Sequence, residues 1–152
     1  MEKREVHVLP FRSLDVVSKD ERLIAVVRDL QDKIAVAEAI ARPGGKPLRH
    51  PRTGIILARR GDTLDDMVGV GDLIVVGVSS IFNGLITFDL TCPGCGCILA
   101  ACSQCGGQME RKGPLLECSK CGRRERRRLA LKYGYLDYYL KDLVRGPEDK
   151  NN

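Results

Sequence analysis

The sequence predicts an all-β protein: a five-stranded barrel of the OB type, followed by a small zinc ribbon and a short C-terminal helix. Five short apolar segments separated by turn residues fill residues 22–91, with one helical turn between the third and the fourth. This pattern is typical of a small Greek-key barrel. Two Cys-x-x-Cys pairs, each followed by glycine, come next. Such pairs predict a hairpin that needs a bound metal in order to fold.

The length of the chain allows one compact domain and one small attachment. Of its 152 residues, 43% are hydrophobic, which is enough to build a core. Apolar residues from Leu136 to Val144 recur at helical spacing. We therefore divide the chain into an N-terminal segment (1–21), the barrel (22–91), the ribbon (92–134), and a short helix with a disordered tail (135–152).

The positive charge of the chain is concentrated in the ribbon. Between Glu110 and Lys132 there are nine Lys and Arg residues and three Glu residues, a net charge of +6. The whole chain carries +5, so the rest sums to −1. A local basic patch indicates a phosphate-bearing partner. The alternative is a ribbon strand that is merely well solvated.

The cysteines point to metal binding rather than to disulfides. No apolar stretch is long enough to span a membrane, and the N-terminus has no apolar signal core. We therefore expect a cytoplasmic protein, and in that compartment paired cysteines favour a metal. A charged fraction of 30% without tryptophan favours a thermophilic origin, and the cytoplasm of hyperthermophiles does tolerate disulfides.

Each barrel strand is predicted from a β-branched or alternating segment. In the second, Ile and Val alternate with four alanines, and this period of two favours a strand over a helix. The predicted strands are 23–27, 33–41, 54–58, 72–78 and 85–90.

Turn residues separate these strands. Asn83-Gly84 is a two-residue hairpin signal between the fourth and fifth strands. Residues 61–68 indicate one helical turn with an acidic start, and we interpret Asp65 and Asp66 as helix-start residues rather than a catalytic pair. Residues 42–52 contain three prolines and two glycines, which predicts an irregular loop.

The face on which OB barrels commonly bind nucleic acid lacks aromatic residues here. Such barrels stack bases on aromatic side chains of strands two and three, and neither predicted strand contains one. The alanines of strand two form a smooth face, which is either core or a protein-docking surface. The basic loop is left as the main contact for RNA on the barrel: Arg42, Lys46, Arg49 and Arg52.

The metal ligands that we predict are Cys102, Cys105, Cys118 and Cys121. Two residues between cysteines allow both sulfurs of one turn to reach a single ion, and zinc takes four such ligands in a tetrahedron. The glycine after each pair allows a tight turn in which backbone amides point at the thiolates. With four protein ligands the site is closed and structural. A redox dithiol would need one exposed pair in a different fold context.

Three further cysteines, Cys92, Cys95 and Cys97, precede the ribbon. The first two form another Cys-x-x-Cys pair that competes with Cys102 and Cys105 as a zinc knuckle. We prefer the later pair because Ile98–Ala101 then forms the strand that leads into the ribbon. Three roles stay open for the earlier cysteines: buried apolar residues, a disulfide, or a second metal site with an outside ligand such as His50.

A basic strand follows the last cysteine pair. Arginines that alternate along a strand recur every 6.6–7 Å or so, which suits successive phosphates of a single nucleic-acid strand. Contacts to phosphates do not distinguish one nucleotide sequence from another. The predicted phosphate contacts in this strand are Arg123, Arg124, Arg126, Arg127 and Arg128.

Two motifs give a family resemblance. The segment Met67–Val78 looks like the fourth-strand signature of ribosomal-S1-type OB domains. The segment from Ile98 to Gly134, with both Cys-x-x-Cys-Gly pairs, resembles the zinc ribbon of the RNA-binding cap subunit of the archaeal exosome, of the Csl-four type. The resemblance covers residues 22–134. It implies an S1-like barrel, a zinc cofactor, single-stranded RNA as a ligand, and nuclease ring subunits as partners.

No nucleophile–base pair, zinc-protease motif or phosphate-binding loop is present in the sequence, and we predict that the protein is not an enzyme. The leading hypothesis is an RNA-binding accessory subunit that presents RNA to a nuclease on other chains, without a membrane or a small-molecule substrate. The alternative is a zinc-ribbon adaptor that binds proteins, or a ribosomal or transcription-associated component.

Overall fold

The computed structural model describes residues 16–44, 46–136 and 138–140. The regular secondary structure of this part of the chain is mostly β, with one 3-10 turn at Leu64–Asp66 and a few helical residues at its C-terminal end. Its strands are β1 (Arg22–Leu30), β2 (Ile34–Arg42), β3 (Lys46–Leu57), β4 (Leu73–Phe82), β5 (Leu85–Asp89), β6 (Gly96–Leu99), β7 (Met109–Lys112), β8 (Leu115–Cys118) and β9 (Arg124–Glu125).

The first five strands close into a barrel. Their order is β1-β2-β3-β5-β4, and β4 pairs back onto β1. All these pairs are antiparallel except β3 with β5, which run parallel. This is the five-stranded OB arrangement, in which each of the five strands pairs with a neighbour on both sides over at least part of its length. The predicted fold class is confirmed.

The strand predicted to lead into the ribbon pairs with the barrel. Strand β6 runs antiparallel to β4, with Ile74 opposite Cys97 and Val75 opposite Gly96. The ribbon itself is the small sheet β7-β8-β9. The chain therefore leaves the barrel sheet only after Leu99, and this pairing positions the ribbon beside the barrel.

The alanines of β2 form part of the barrel core. Ala35, Ala37 and Ala39 are fully buried in the barrel interior, and the side chains between them point outward because neighbours on a strand alternate. Larger side chains such as Phe88 and Leu23 fill the interior opposite them. Ala41 lies beyond a register shift and is buried instead in the cluster on the outside of the barrel, with Ile24. The alanine face is therefore core, and it is not a surface on which a protein can dock.

The prediction of an irregular loop at residues 42–52 was wrong. Strand β3 begins at Lys46, and Arg42 pairs with Lys46 across a short turn. Prolines are tolerated because β3 pairs with β5 only from Gly54 to Ile56, so that among the described residues the edge of β3 near Pro47 that faces away from β2 has no strand neighbour. A register shift between Ala39 and Ala41 absorbs the extra residues of β3 as a bulge.

The turn signals were read correctly. Asn83 and Gly84 have φ values of 51° and 82° and join β4 to β5, as a type I′ hairpin turn requires. The predicted helical turn is the 3-10 turn at Leu64–Asp66. Strands β1 and β4 run further than predicted, to Leu30 and Phe82, because cross-strand pairing continues past their apolar centres.

At the C-terminal end, Leu136 and residues 138–140 are helical. Tyr139 packs in a cluster with Ile24, Val75 and Ile98, so this turn covers the outside of the β1–β4–β6 sheet. The rest of the predicted helix and tail, and most of the N-terminal segment, lie outside the described residues. Within the described ranges no helix is long and apolar enough to cross a membrane.

Candidate metal centre and barrel–ribbon junction

The four cysteines chosen from the sequence come together at one end of the ribbon. All four Sγ atoms lie within 4.8 Å of one another. The Sγ atoms of Cys102 and Cys121 are 3.6 Å apart, and those of Cys105 and Cys118 are 3.4 Å apart. A tetrahedron with Zn–S bonds of 2.3 Å has sulfur–sulfur distances of about 3.8 Å. The cluster therefore fits one tetrahedral ion.

Backbone amides surround the sulfurs as thiolate ligands require. Gln104 N–H donates to Cys102 Sγ at 3.4 Å, and Gly107 N–H donates to Cys105 Sγ at 3.4 Å. The N–H groups of Cys121 and Lys120 donate to Cys118 and lower the pKa of that thiol to about 6. Hydrogen bonds of this kind orient ligand sulfurs and favour the deprotonated form that binds metal.

Gly107 is required by the close approach of its backbone to the cluster. A Cβ at this position would lie 3.1 Å from Cys118 Sγ and 3.3 Å from Cys105 Sγ. Such contacts would push the sulfurs apart. The chain carries glycine at the point where it passes nearest to the site, which supports a tightly packed metal centre.

The earlier cysteines take no part in this cluster. Cys92 and Cys95 form a disulfide, the second of the three roles left open above. Cys97 is a buried free thiol whose Sγ lies 3.3 Å from Asp72 Oδ2, and burial raises the pKa of this thiol well above its usual value. His50 is exposed on β3, and the described residues place it in no metal-binding group.

An ion pair between Asp72 and Arg127 joins the barrel to the ribbon. Arg127 Nε lies 2.8 Å from Asp72 Oδ2, and the two side chains are 2% and 0% exposed. Asp72 also accepts hydrogen bonds from Gly69 N at 2.7 Å and Ala101 N at 2.9 Å. Burial raises the pKa of Asp72, although Arg127 opposes the shift. Both buried charges therefore have charged and hydrogen-bonding partners, as burial of a charge requires.

Glu125 extends this network to the metal site. Its Oε1 lies 2.8 Å from Arg127 Nη2, and its Oε2 accepts from the Ser103 hydroxyl at 2.8 Å and the Ser103 N–H at 3.1 Å. Although burial alone would raise it, the pKa of Glu125 is lowered to about 2 by the hydrogen bonds from Ser103 and Arg127. Since Ser103 follows a ligand cysteine, the network runs from the cluster into the barrel.

The structure divides the basic strand into two groups. Arg127 is buried, and Arg128 donates to the carbonyl oxygen of Leu90 at 2.7 Å, so both hold the ribbon on the barrel. Arg123, Arg124 and Arg126 are exposed. Strand β9 contains only Arg124 and Glu125, so the predicted alternation along a regular strand ends there.

The basic residues predicted on the barrel lie along the β2–β3 hairpin. Arg42 forms an ion pair with Glu21 and donates to the carbonyl oxygen of Val16 at 2.7 Å, which tethers the segment preceding β1. Lys46 and Arg49 are exposed and Arg52 is half-buried. They point away from the core along one hairpin.

A cleft of about 810 Å³ separates the barrel from the exposed arginines. Arg123, Arg124 and Arg126 line its ribbon side, while Asp65 and Asp66 line its barrel side. Leu30 and Val70 also face it from the barrel. The cleft is positive on one wall and negative on the other.

Sequence reasoning missed Asp72 and Phe82. Asp72 belongs to the Gly-Asp pair of the S1-type motif, so the motif was visible but the ionic role of Asp72 was not. Phe82 is 73% exposed beside the β4–β5 turn. It lies at the end of β4, away from strands two and three, on which OB barrels commonly stack bases.

Together the closed barrel and the four-cysteine cluster define a barrel-and-ribbon protein, an OB domain followed by a zinc-type ribbon. No protein-family model matches the chain. The chain is similar to the exosome complex component Csl4 of Archaeoglobus fulgidus, with 29% identity over 126 residues that cover 78% of this chain and 68% of the relative. This similarity confirms the resemblance that the motifs indicated.

Proposed function

We propose that this protein is a non-catalytic, RNA-binding subunit of an exosome-like assembly, acting in the cytoplasm and presenting single-stranded RNA to a nuclease carried by other chains. The observation that carries the proposal is the similarity to an exosome component along both parts of the molecule. Zinc at the four cysteines is part of it, because their donor set and spacing suit that ion.

The RNA contacts that we propose are fewer than the nine predicted from the sequence. Arg42, Arg127 and Arg128 bind other parts of the same chain. The proposed set is chosen by exposure to solvent: Arg123, Arg124 and Arg126 on the ribbon with Lys46, Arg49 and Arg52 on the hairpin. These side chains can meet phosphates, which fix a strand in place without selecting its sequence.

Co-purification tests whether the protein belongs to an exosome-like assembly. The protein is tagged in its native organism, purified with its partners, and analysed by mass spectrometry. We expect nuclease ring subunits in fixed stoichiometry. Recovery of a stable complex without any RNA-processing protein would overturn the proposal.

RNA affinity measured against salt tests the phosphate contacts. For single strands, log affinity falls by about 0.7 per log unit of salt for each phosphate neutralised. The double variant Arg124→Glu/Arg126→Glu is expected to weaken binding and to reduce this slope. Arg111→Glu/Lys112→Glu is the matched control with the same change in net charge, since both residues are exposed on β7 and neither lines the cleft. Equal losses in both variants would mean that only net charge matters.

A second candidate function is a protein-binding adaptor, which exposed apolar residues favour. Ile81, Phe82 and Leu85 project at the β4–β5 turn, and Tyr135 and Tyr138 are exposed with Lys132 Nζ 5.8 and 5.4 Å from their ring centroids. If the protein is an adaptor, Phe82→Asp should lose a protein that co-purifies with the wild type. RNA binding should then be unchanged in Arg124→Glu/Arg126→Glu.

A further inference from the structure

We infer that a single RNA strand lies in the barrel–ribbon cleft with its phosphates on the ribbon wall and its bases on the barrel wall, where Asp65 and Asp66 favour bases that carry an exocyclic amino group. The inference rests on the proposed function and adds to it a strand orientation and a base preference. It is carried by the charge asymmetry of the cleft.

The ribbon wall is built to receive phosphates. The side chains of Arg123 and Arg124 remain 49% and 68% exposed while they pair with Glu125 and Glu117, and the guanidinium of Arg126 has no partner among the described residues. Arg127, which lies between Arg126 and the barrel, is fixed by Asp72. The exposed arginines are therefore presented from a backbone that is held in place, which lowers the entropic cost of binding.

The barrel wall carries negative charge that is not neutralised within the described chain. Asp65 and Asp66 lie exposed on the 3-10 turn, and neither side chain has an ion-pair or hydrogen-bond partner among the described residues. This distinguishes them from Glu117 and Glu125, which are paired with arginines. Both carboxylates remain available as hydrogen-bond acceptors.

The two walls together set the orientation of a strand. Phosphates are attracted to the arginines and repelled by Asp65 and Asp66, so the bases must turn toward the barrel. There Leu30 and Val70 offer apolar surface to the base planes. No aromatic residue is among the described residues that line the cleft, so hydrogen bonds to the base edges contribute more of the discrimination between bases.

Carboxylates discriminate between bases by their donors. Cytosine presents an N4 amino group and adenine an N6 amino group, whereas the corresponding position of uracil, as of thymine, is a carbonyl oxygen. A carboxylate accepts hydrogen bonds from the amino groups. Uracil offers it only the N3–H, which lies between two carbonyl oxygens that repel a carboxylate. Asp65 and Asp66 should therefore favour cytosine and adenine over uracil.

Fluorescence anisotropy with labelled oligocytidylate, oligoadenylate and oligouridylate of equal length tests this preference on the zinc-loaded full chain. We expect roughly ten-fold tighter binding of the first two, a ratio within the range of one good base contact. In Asp65→Ala/Asp66→Ala the ratio should fall to about one, with oligouridylate bound more tightly than before because a repulsion is removed. Glu110→Ala is the matched control, an exposed acid on β7 outside the cleft.

The outcomes separate the inference from the proposed function. If wild type binds RNA but the base ratio is the same in Asp65→Ala/Asp66→Ala, the orientation is wrong and the RNA-binding function stands. If wild type binds no RNA and Arg124→Glu/Arg126→Glu instead loses an acidic protein partner, both are overturned. Circular dichroism of each surface variant confirms that the fold is retained.

Discussion

Asp72 in the barrel and Arg127 in the ribbon form an ion pair at a boundary closed to solvent, with 2.8 Å between Oδ2 and Nε. Asp72 also accepts hydrogen bonds from the N–H groups of Gly69 and Ala101 and from Cys97 Sγ. Arg127 is also bound by Glu125 of the ribbon. The pair therefore sets the position of the ribbon on the barrel, and with it the shape of the cleft.

The substitution Asp72→Ala is expected to lower the free energy of unfolding by about 3–5 kcal/mol, because it removes one of the two carboxylates that pair with the buried guanidinium of Arg127 and leaves the N–H groups of Gly69 and Ala101 without their acceptor. Chemical denaturation measures the change. The matched control is Glu117→Ala, which breaks the exposed pair with Arg124 and should cost no more than about 1 kcal/mol.

A double-mutant cycle with Arg127→Met checks that the pair itself is responsible. The double variant should recover much of the stability lost in Asp72→Ala, since an apolar pair of similar volume can replace a buried ion pair. Strictly additive losses would show that the two side chains act separately, contrary to the structure.

Gly96→Ala is expected to destabilise the junction strongly. Gly96 has φ +140°, and a Cβ there would lie 2.6 Å from the carbonyl oxygen of Arg128. We expect a loss of about 3 kcal/mol or more, from left-handed strain together with overpacking. Gly113→Ala is the control, since Gly113 has φ +65° but open space around it. It should cost about 1 kcal/mol. Equal losses in thermal unfolding would contradict the close approach at Gly96.

Thiol counting tests the assignment of the seven cysteines. After removal of metal and denaturation without reductant, alkylation followed by mass spectrometry should modify five cysteines and leave Cys92 and Cys95 joined. The double variant Cys92→Ser/Cys95→Ser should retain one equivalent of zinc. A fall in bound zinc in that variant would mean that Cys92 and Cys95 are zinc ligands.

Metal removal should unfold the ribbon before the barrel. The ribbon core includes Cys102 and Cys118 alongside Met109 and Leu116, whereas none of the four ligands belongs to the barrel core. A metal-free ribbon this small cannot bury enough apolar area to fold. NMR during chelation should show the signals of Met109 and Leu116 collapse while those of Phe88 persist. Loss of all signals together would mean that the barrel depends on the metal.

Much of the architecture was predictable because local chemistry dictates it. Alternation in β2, the Asn83-Gly84 turn and the paired cysteines each specify a conformation through neighbours in the chain. The β2–β3 hairpin was mispredicted for the opposite reason. Pro47 and Pro51 argue against a central strand, but nothing nearby in sequence indicates that β3 has a strand neighbour on only one side near Pro47 in the part of the chain that the structure describes.

The roles of the charged residues depend on contacts between distant parts of the chain. From the sequence alone, the five arginines between Arg123 and Arg128 look equivalent. Only the folded chain brings Asp72 to Arg127 and the Leu90 carbonyl to Arg128, while Arg124 and Arg126 stay in solvent. Strand alternation and cysteine spacing are local properties that residue order specifies. Burial and ion pairing depend on which segments pack together, so tertiary structure alone separates the arginines that hold the ribbon from those that can bind a ligand.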